Sequence, residues 1–407
     1  MSTQYEPGAP VPDGGIPLCV PEIKGNEWKY IRDCLDTNWV SSVGSYVERF
    51  EQLVAEYVGA RYAIATTSGT AALHVALLVA GVEPDDEVLV SDLTFVAPTN
   101  AIRYVGAWPV FIDAEPEYWQ IDPILVTDFV EQHCIWRKGQ LYNKGTGRRV
   151  IGILPVHILG HPVDMDPLIE IAKKYGLAII EDATESLGAK YRDRSVGILG
   201  DISCFSFNGN KLMTTGGGGM ILTDHKSWAD RARYLTTQAK DDPLEYIHYE
   251  IGYNYRLTNI QAAMGCAQME QLEAFVATKR SNAVTYKFAL RTIEGIELMR
   301  EAPWAYATYW LNTVLVNKKK YGLDSRTLMK LLAKKGIQTR PLWQPMHQSP
   351  AHIKSQFFGG SVSEFLNYRA LSLPSSVGLS HQDIKHIVST IREKMPDHSR
   401  SGKNLDE

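Results

Sequence analysis

The stretch SCFSFNGNKLMTTGGGGMIL, residues 203–222, contains a single lysine, Lys211. Ser206 lies just upstream of it, and four glycines occupy positions 216–219 just downstream. Small residues let a planar ring and a phosphate approach the backbone, and a lysine amine forms a Schiff base with an aldehyde. The stretch therefore favours a site for a flat aldehyde cofactor. A solvated lysine beside a glycine turn is the plainer interpretation, and the surrounding segments decide between the two.

Short apolar runs alternate with helical patterns on both sides of this stretch. The runs predict strands at residues 62–65, 87–91, 108–112, 150–155 and 177–181. Helical spacing lies between them, for example at residues 71–80 and 166–175. Continuous apolar strands separated by helices indicate a mainly parallel sheet with helices on both faces. Ligands of such sheets bind at the carboxyl ends of the strands, where each motif below lies.

A hydroxyl-rich turn, Thr66-Thr67-Ser68-Gly69-Thr70, joins the first predicted strand to the next helix. The first backbone N–H groups of a helix are free, and with the hydroxyls they favour a bound phosphate. An ordinary helix cap is the alternative for an isolated Ser-Gly-Thr.

Asp182 would stand at the tip of a buried strand, directly after Glu181. A buried carboxylate is unfavourable unless it meets a positive partner, and a protonated pyridine nitrogen is such a partner. An Asp that caps the following loop is the structural alternative.

The composition restricts the class of protein. The chain has 407 residues, 44% hydrophobic residues and a formal net charge of -4. No basic block indicates nucleic acid, no apolar run is long enough to span a bilayer, and the first residues do not form a signal peptide. The five cysteines are scattered without a C-x-x-C pair, which fits reduced thiols and a cytoplasmic location.

Taken together, these segments supply the parts that pyridoxal phosphate needs, in chain order. They are a phosphate turn (Ser68, Gly69, Thr70), an aromatic residue for the ring (Phe95), an acid (Asp182), a serine (Ser206) and a lysine (Lys211). The lysine would hold the aldehyde as an imine, and the acid would keep the ring nitrogen protonated.

The sequence resembles the DegT/StrS-type sugar-nucleotide aminotransferases, a branch of the fold type I pyridoxal phosphate enzymes. The matching segments lie between residues 38 and 347 and include TTSGTAALHVAL, SDLTFVAPTNAI, SFNGNKLMTTGGGGMI, GYNYRLTNIQAA and GIQTRPLWQPMH. The resemblance implies an α/β fold: a large cofactor domain (residues 1–280, with 1–15 mobile), a smaller C-terminal α/β domain (281–396) and a disordered tail (397–407). SFNGNK, GYNYR and an insertion at 132–149, which reads as a small hairpin, are most similar to the bacillosamine and legionaminic acid pathway branch.

The resemblance also implies a role for individual residues. Lys211 is the Schiff-base lysine and the acid–base of the reaction, and Asp182 pairs with the pyridine nitrogen. Glu185 lies near the phenolic oxygen of the ring, where many relatives carry His or Gln. Asn254 reaches the phosphate of the other subunit, which implies a homodimer with shared active sites. The residues expected to face the sugar nucleotide are Trp39, Ser41, Tyr309, Arg340 and His347.

The implied reaction moves an amino group from L-glutamate to C4 of a nucleotide-linked 4-keto-6-deoxy sugar. The expected substrate is of the UDP-4-keto-6-deoxy-GlcNAc type; a GDP-linked sugar and a 3-keto sugar are the alternatives. Dehydration would require a histidine in place of Lys211. A non-catalytic cofactor-binding protein would need an added module or a broken site, and neither is apparent.

Two further enzyme classes find little support. No G-x-G-x-x-G follows a strand, which argues against an NAD-dependent oxidoreductase. His157, His161, Asp164 and Asp166 suggest a metal site, but Gly160 and Pro162 break any helix that would align the two histidines. No metal is therefore expected.

Overall fold

The computed structural model describes residues 11, 14–242 and 244–393. The predictions for residues 1–10 and for the tail at 397–407 lie outside these residues. The α-helices are α1 (Glu27–Asp36), α2 (Ser45–Val58), α3 (Gly69–Val79), α4 (Val96–Tyr104), α5 (Pro123–Asp128), α6 (Met165–Tyr175), α7 (Lys226–Thr236), α8 (Asn259–Met269), α9 (Leu272–Leu290), α10 (Lys318–Tyr321), α11 (Ser325–Ala333), α12 (Val362–Arg369) and α13 (His381–Glu393).

The strands form one large sheet and two small ones. They are β1 (Tyr62–Thr66), β2 (Glu87–Ser91), β3 (Trp108–Ile112), β4 (Cys134–Arg137), β5 (Gln140–Asn143), β6 (Arg149–Leu154), β7 (Ala178–Asp182), β8 (Lys190–Tyr191), β9 (Arg194–Ser195), β10 (Ile202–Ser206), β11 (Gly219–Thr223), β12 (Ile296–Leu298), β13 (Ala305–Tyr306), β14 (Asn312–Val316), β15 (Gln356–Phe358) and β16 (Ala370–Leu373).

The central sheet has the strand order β1-β11-β10-β7-β6-β2-β3-β15. In this order every neighbouring pair from β10 to β15 is parallel, whereas β11 runs antiparallel to its neighbours β1 and β10. The carboxyl ends of β1, β7 and β10 therefore lie at the same edge. The mainly parallel α/β architecture predicted from the apolar runs is confirmed.

Two apolar cores cover the two faces of this sheet. In β7, Ile179 packs into the core that holds Phe50 of α2, whereas Ile180 packs into the core that holds Leu73 of α3. Successive residues of a strand point to opposite faces, so a strand covered on both sides must be apolar throughout. This explains why these strands lack an alternating polar pattern.

The insertion at residues 132–149 forms the predicted hairpin, because β4 pairs with β5. β5 in turn pairs antiparallel with β6, which attaches the hairpin to the central sheet.

The C-terminal part contains the sheet β12-β14-β16, with an apolar core of its own beside it. The boundary at residue 280 stays a prediction, since α9 runs through it. β15 comes from the later part of the chain, yet it pairs with β3 in the central sheet.

Candidate active site

A cavity of about 360 Å³ opens at the carboxyl edge of the central sheet. It brings together most of the residues that the sequence singled out for a cofactor. Its lining consists of Ser68, Gly69, Thr70, Phe95, Ala97, Thr184, Glu185, Ser206, Asn208, Asn210, Lys211, Gly217, Gly218, Trp310 and Trp343.

One side of the cavity is an anion cradle at the start of α3. Ser68 caps this helix by accepting a hydrogen bond from the backbone N–H of Ala71 at 3.0 Å. A side chain at Gly69 would collide with Ser206, because its Cβ would lie 2.8 Å from the Ser206 Cβ. The helix N-terminus and the hydroxyl groups therefore face the same space, which suits a phosphate.

Gly219, at the start of β11, has a direct role in this cradle. A Cβ at this position would lie 2.5 Å from the backbone of Ser68 and 2.7 Å from the nitrogen of Gly69. A glycine at position 219 therefore lets β11 lie closer to the backbone of Ser68 and Gly69 than a residue with a side chain would.

Lys211 extends into the cavity from the loop between β10 and β11. Its Nζ lies 3.5 Å from Oε1 of Glu185 and 4.0 Å from the centroid of the Trp310 ring. The indole N–H of Trp310 donates to the carbonyl of Asn210 at 2.7 Å. Trp310 therefore contacts both the lysine side chain and the loop that carries it.

Asp182 ends β7 and is almost fully buried. One carboxylate oxygen accepts the backbone N–H of Thr184 at 3.0 Å. Burial raises the pKa of Asp182, and the nearby Lys211 opposes that shift. A buried acid of this kind suits a ligand that brings a positive charge, such as a protonated pyridine nitrogen.

Glu185 is buried beside Lys211. Its Oε2 accepts the backbone N–H of Leu159 at 2.8 Å. Burial raises the pKa of Glu185 to about 7, against the opposing effect of Lys211.

Phe95 is half exposed and lines the cavity from the N-terminus of α4. Trp310 and Trp343 line it as well, and the sequence analysis did not single them out. Two signals were available: Trp310 follows Tyr309 directly, and Trp343 lies inside the quoted segment GIQTRPLWQPMH.

The structure does not bring the predicted sugar-nucleotide residues into this cavity. Trp39 and Ser41 are exposed, and their carbonyls accept hydrogen bonds from Asn259. Tyr309 has a left-handed backbone, with φ of 50°, and packs near Arg280.

Arg340 and His347 are also engaged elsewhere. Arg340 donates to the carbonyl of Thr339. The His347 ring lies between two carboxylates, with Nδ1 2.8 Å from Asp92 and Nε2 3.1 Å from Glu364.

Asn254 is exposed and is likewise absent from the cavity lining of its own chain. It follows a segment with several exposed apolar side chains, residues 244–251.

The two histidines considered as metal ligands instead form hydrogen bonds in and around the loop after β6. Nδ1 of His157 accepts the N–H of Val163, and Nε2 lies 3.1 Å from Glu181. Nε2 of His161 accepts the N–H of Ala302 at 3.0 Å. Within the described ranges we find no group of three or more side chains placed to hold a metal ion.

None of the helices in residues 14–242 and 244–393 combines the length and apolar character needed to cross a bilayer.

Comparisons with known proteins identify a family. The profile of the DegT/DnrJ/EryC1/StrS aminotransferase family matches residues 21–392. The chain is 39% identical to GDP-perosamine synthase of Escherichia coli O157:H7, over 93% of this chain and 98% of the relative. It is 35% identical to GDP-perosamine synthase of Caulobacter vibrioides, over 92% and 97%.

A solved structure of DesI with its TDP-sugar product has a TM-score of 0.85. It is 26% identical in sequence, with 97% of this chain and 96% of that chain covered.

Proposed function

This chain belongs to the DegT/DnrJ/EryC1/StrS aminotransferase family, and on that premise we propose that it moves an amino group from L-glutamate to C4 of a nucleotide-linked 4-keto-6-deoxy sugar. The broader activity follows from the family and its relatives: the chain is a pyridoxal phosphate-dependent sugar-nucleotide aminotransferase. The amino donor, the position C4 and the nucleotide belong to the proposal.

For the nucleotide we propose GDP. Relatives that are 39% and 35% identical over nearly their whole lengths are both named GDP-perosamine synthase. The UDP-4-keto-6-deoxy-GlcNAc type, expected from the segments SFNGNK and GYNYR, becomes the second candidate. The 3-keto alternative has no relative among those compared above.

The cavity residues fit pyridoxal phosphate. The anion cradle suits its phosphate, Asp182 its ring nitrogen and Phe95 a face of its ring. When bound, the cofactor supplies an aldehyde that carries amino groups and a protonated ring that takes up electrons.

The observation that carries the proposal is the position of Lys211, 3.5 Å from the buried carboxylate of Glu185 and in the same cavity as the anion cradle. Lys211 would act there as the acid and base that moves the proton. Asp182, which accepts the backbone N–H of Thr184, would pair with the ring nitrogen of the cofactor. Ser206 and Thr70, which line the same cavity as Lys211, would hold its phosphate.

We further propose a homodimer in which Asn254 contacts the phosphate of the partner's cofactor. Asn254 is exposed in the single chain, and the preceding segment presents Leu244, Tyr249 and Ile251 to solvent. Exposed apolar side chains in this number are typical of a protein interface. The cytoplasmic location expected from the sequence stays a prediction.

Trp39, Ser41, Tyr309, Arg340 and His347 remain proposed sugar-nucleotide residues. They lie outside the cofactor cavity, as a long nucleotide substituent would require. Because carboxylates occupy both ring nitrogens of His347, this residue would act by fixing Asp92 rather than by a free ring nitrogen.

The test is amination of matched sugar nucleotides by the purified protein with pyridoxal phosphate and L-glutamate. GDP- and UDP-linked 4-keto-6-deoxy sugars, with and without the N-acetyl group, are offered side by side. Mass spectrometry detects the product, and NMR locates the new amino group on the ring.

We expect the GDP-linked sugar to be aminated at C4, with Lys211→Ala inactive and the exposed-site variant Lys287→Ala active. Preference for a UDP-linked sugar would replace the proposed nucleotide. Amination at C3, or no amination of any sugar by a cofactor-loaded protein, would contradict the proposal.

A further inference from the structure

The amine of Lys211 lies between a carboxylate and an aromatic face. Its Nζ is 3.5 Å from Oε1 of Glu185 and 4.0 Å from the centre of the Trp310 ring. The lysine side chain is 14% exposed and that of Glu185 only 4%. Both neighbours attract a positive charge, the carboxylate by its own charge and the indole by its electron-rich face.

The carboxylate of Glu185 is fixed in this orientation. Its Oε2 accepts the N–H of Leu159 at 2.8 Å, and Leu159 has a left-handed backbone with φ of 60°. Gly160 follows with φ of 85°, and a Cβ there would lie 2.9 Å or less from the backbone nitrogens of Tyr309 and Trp310. This close packing holds the Leu159 amide in place, which leaves Oε1 directed at the lysine.

Few other charges act on this pair. Burial has the largest effect and raises the pKa of Glu185 to about 7, against the lowering by Lys211 and the N–H of Leu159. Among the described residues, Asp182 is the one further charge that acts on Glu185, and it raises this pKa. Glu185 thus exchanges a proton near neutral pH. An ordinary lysine amine, with a pKa of about 10.4, is protonated at that pH and does not attack an aldehyde.

We propose that Glu185 accepts the proton of the Lys211 ammonium when the lysine captures its aldehyde cofactor. This rests on the role of Lys211 proposed above. One N–H bond of the ammonium breaks and an O–H bond forms on Glu185, giving a neutral amine and a carboxylic acid. The amine nitrogen then bonds to the aldehyde carbon, and the aldehyde oxygen leaves as water with the two remaining amine hydrogens. The lysine loses its positive charge and Glu185 loses its negative charge, so the net charge of the pair is zero before and after the transfer.

This transfer has a distinctive dependence on pH. The ammonium–carboxylate pair and the amine–acid pair contain the same number of protons, so their ratio does not change with pH. A lysine without this partner must release its proton to water, and its reactive fraction rises about tenfold per pH unit.

The experiment measures the rate at which cofactor-free protein captures pyridoxal phosphate, by absorbance, between about pH 7 and 8.5. The same reaction with Nα-acetyl-lysine in solution is the reference, because the ionisation of the cofactor affects both equally. We expect the ratio of the protein rate to the reference rate to fall at least tenfold over this range. The ratio of the Glu185→Gln rate to the wild-type rate should rise at least tenfold, since glutamine keeps the acceptor for Leu159 but takes no proton.

Glu294→Gln is the matched control, because it makes the same substitution at an exposed carboxylate outside the cavity, and its rate relative to the wild type should stay constant with pH. A constant ratio of wild type to Nα-acetyl-lysine would overturn the proposal without any variant, so it remains testable if Glu185→Gln does not fold. A constant ratio of Glu185→Gln to wild type would overturn it as well. Capture by Lys211→Ala at the wild-type rate would instead refute the role of Lys211.

Discussion

The buried cluster around Lys211 is held by contacts within one chain, whereas the exposed segment at residues 244–251 leaves apolar side chains uncovered. In the cluster, Asp182 and Glu185 are each held by a backbone N–H, and Lys211 lies against Glu185. In the segment the backbone is also ordered, since the N–H of Tyr249 donates to Asp241 at 2.8 Å. Its apolar side chains, however, face solvent: Leu244 and Ile251 are each 85% exposed.

The first region contains the groups proposed for the reaction, and the second contains the surface proposed for the dimer. The groups proposed to handle protons are positioned by contacts within the chain, so their geometry does not depend on a partner. The apolar side chains of the exposed segment are not covered by other residues that the structure describes, which fits the proposed dimer. The following predictions test each side of this contrast.

Removing the amine of the cluster should have the largest effect. Lys211→Ala deletes the group proposed to bind the aldehyde and move the proton, so we expect amination to fall by a factor of about 10³ or more. The rate of keto acid formation from L-glutamate measures this loss. Near-normal turnover in the variant would show that another residue performs the chemistry.

A single methyl group at Gly219 tests how tightly the cradle is built. In Gly219→Ala the added Cβ meets the backbone of Ser68 at 2.5 Å, so we expect cofactor binding to weaken by about 1 to 3 kcal/mol. Gly209→Ala is the matched control, since nothing lies within 4 Å of a Cβ there. Equilibrium titration with pyridoxal phosphate gives both dissociation constants. Equal weakening in the two variants would argue against a specific role for the β11 contact.

A charge on the exposed segment tests the assembly side. Leu244→Asp should weaken self-association by about 1 to 2 kcal/mol, because it places a carboxylate in the proposed apolar interface. Ile124→Asp changes a residue that is 72% exposed elsewhere on the molecule and should leave association unchanged. Sedimentation equilibrium distinguishes them. A wild-type protein that sediments as a monomer would contradict the proposed interface.

The smallest expected effect concerns stability of the cofactor-free protein. Burial raises the pKa of Glu185 to about 7 from its ordinary value of 4.5, so the folded state binds this proton more tightly than the unfolded state. The stabilisation is present at low pH and is lost as pH rises through 7. The unfolding free energy of the wild type should therefore fall relative to Glu185→Gln between about pH 5 and 8, by on the order of 1 kcal/mol. Urea denaturation at several pH values measures it, and parallel curves for the two proteins would count against the raised pKa.

Much of the lysine cluster could be predicted from sequence because its parts follow strands that are easily recognised. Ser68 and Asp182 each stand just after the end of a predicted strand, and parallel strands bring such ends to one edge. The hairpin after α5 was predictable because its two strands and its glycine-containing turns are close together in the sequence.

Features that depend on distant contacts were not predictable. The helical spacing that begins at Asn259 gives no sign of the break at residues 270–271 between α8 and α9. β15 enters the central sheet beside β3, although nearly 250 residues separate them in the chain. The contacts of His347 with Asp92 and Glu364, and of Trp310 with Lys211, likewise arise only in the folded chain.

The pairing of β1 with β11 has a consequence for biosynthesis. Tyr62–Thr66 lies beside Gly219–Thr223, so the turn that follows β1 gains its neighbour only after the ribosome has released residue 223. Contacts between such distant parts of a chain form late and slowly in folding. A nascent chain that ends before this point has the residues Ser68, Gly69 and Thr70 but no finished cradle. Completion of the cradle therefore follows synthesis of more than half of the polypeptide, and a product that ends before residue 219 lacks the strand that lies beside this turn.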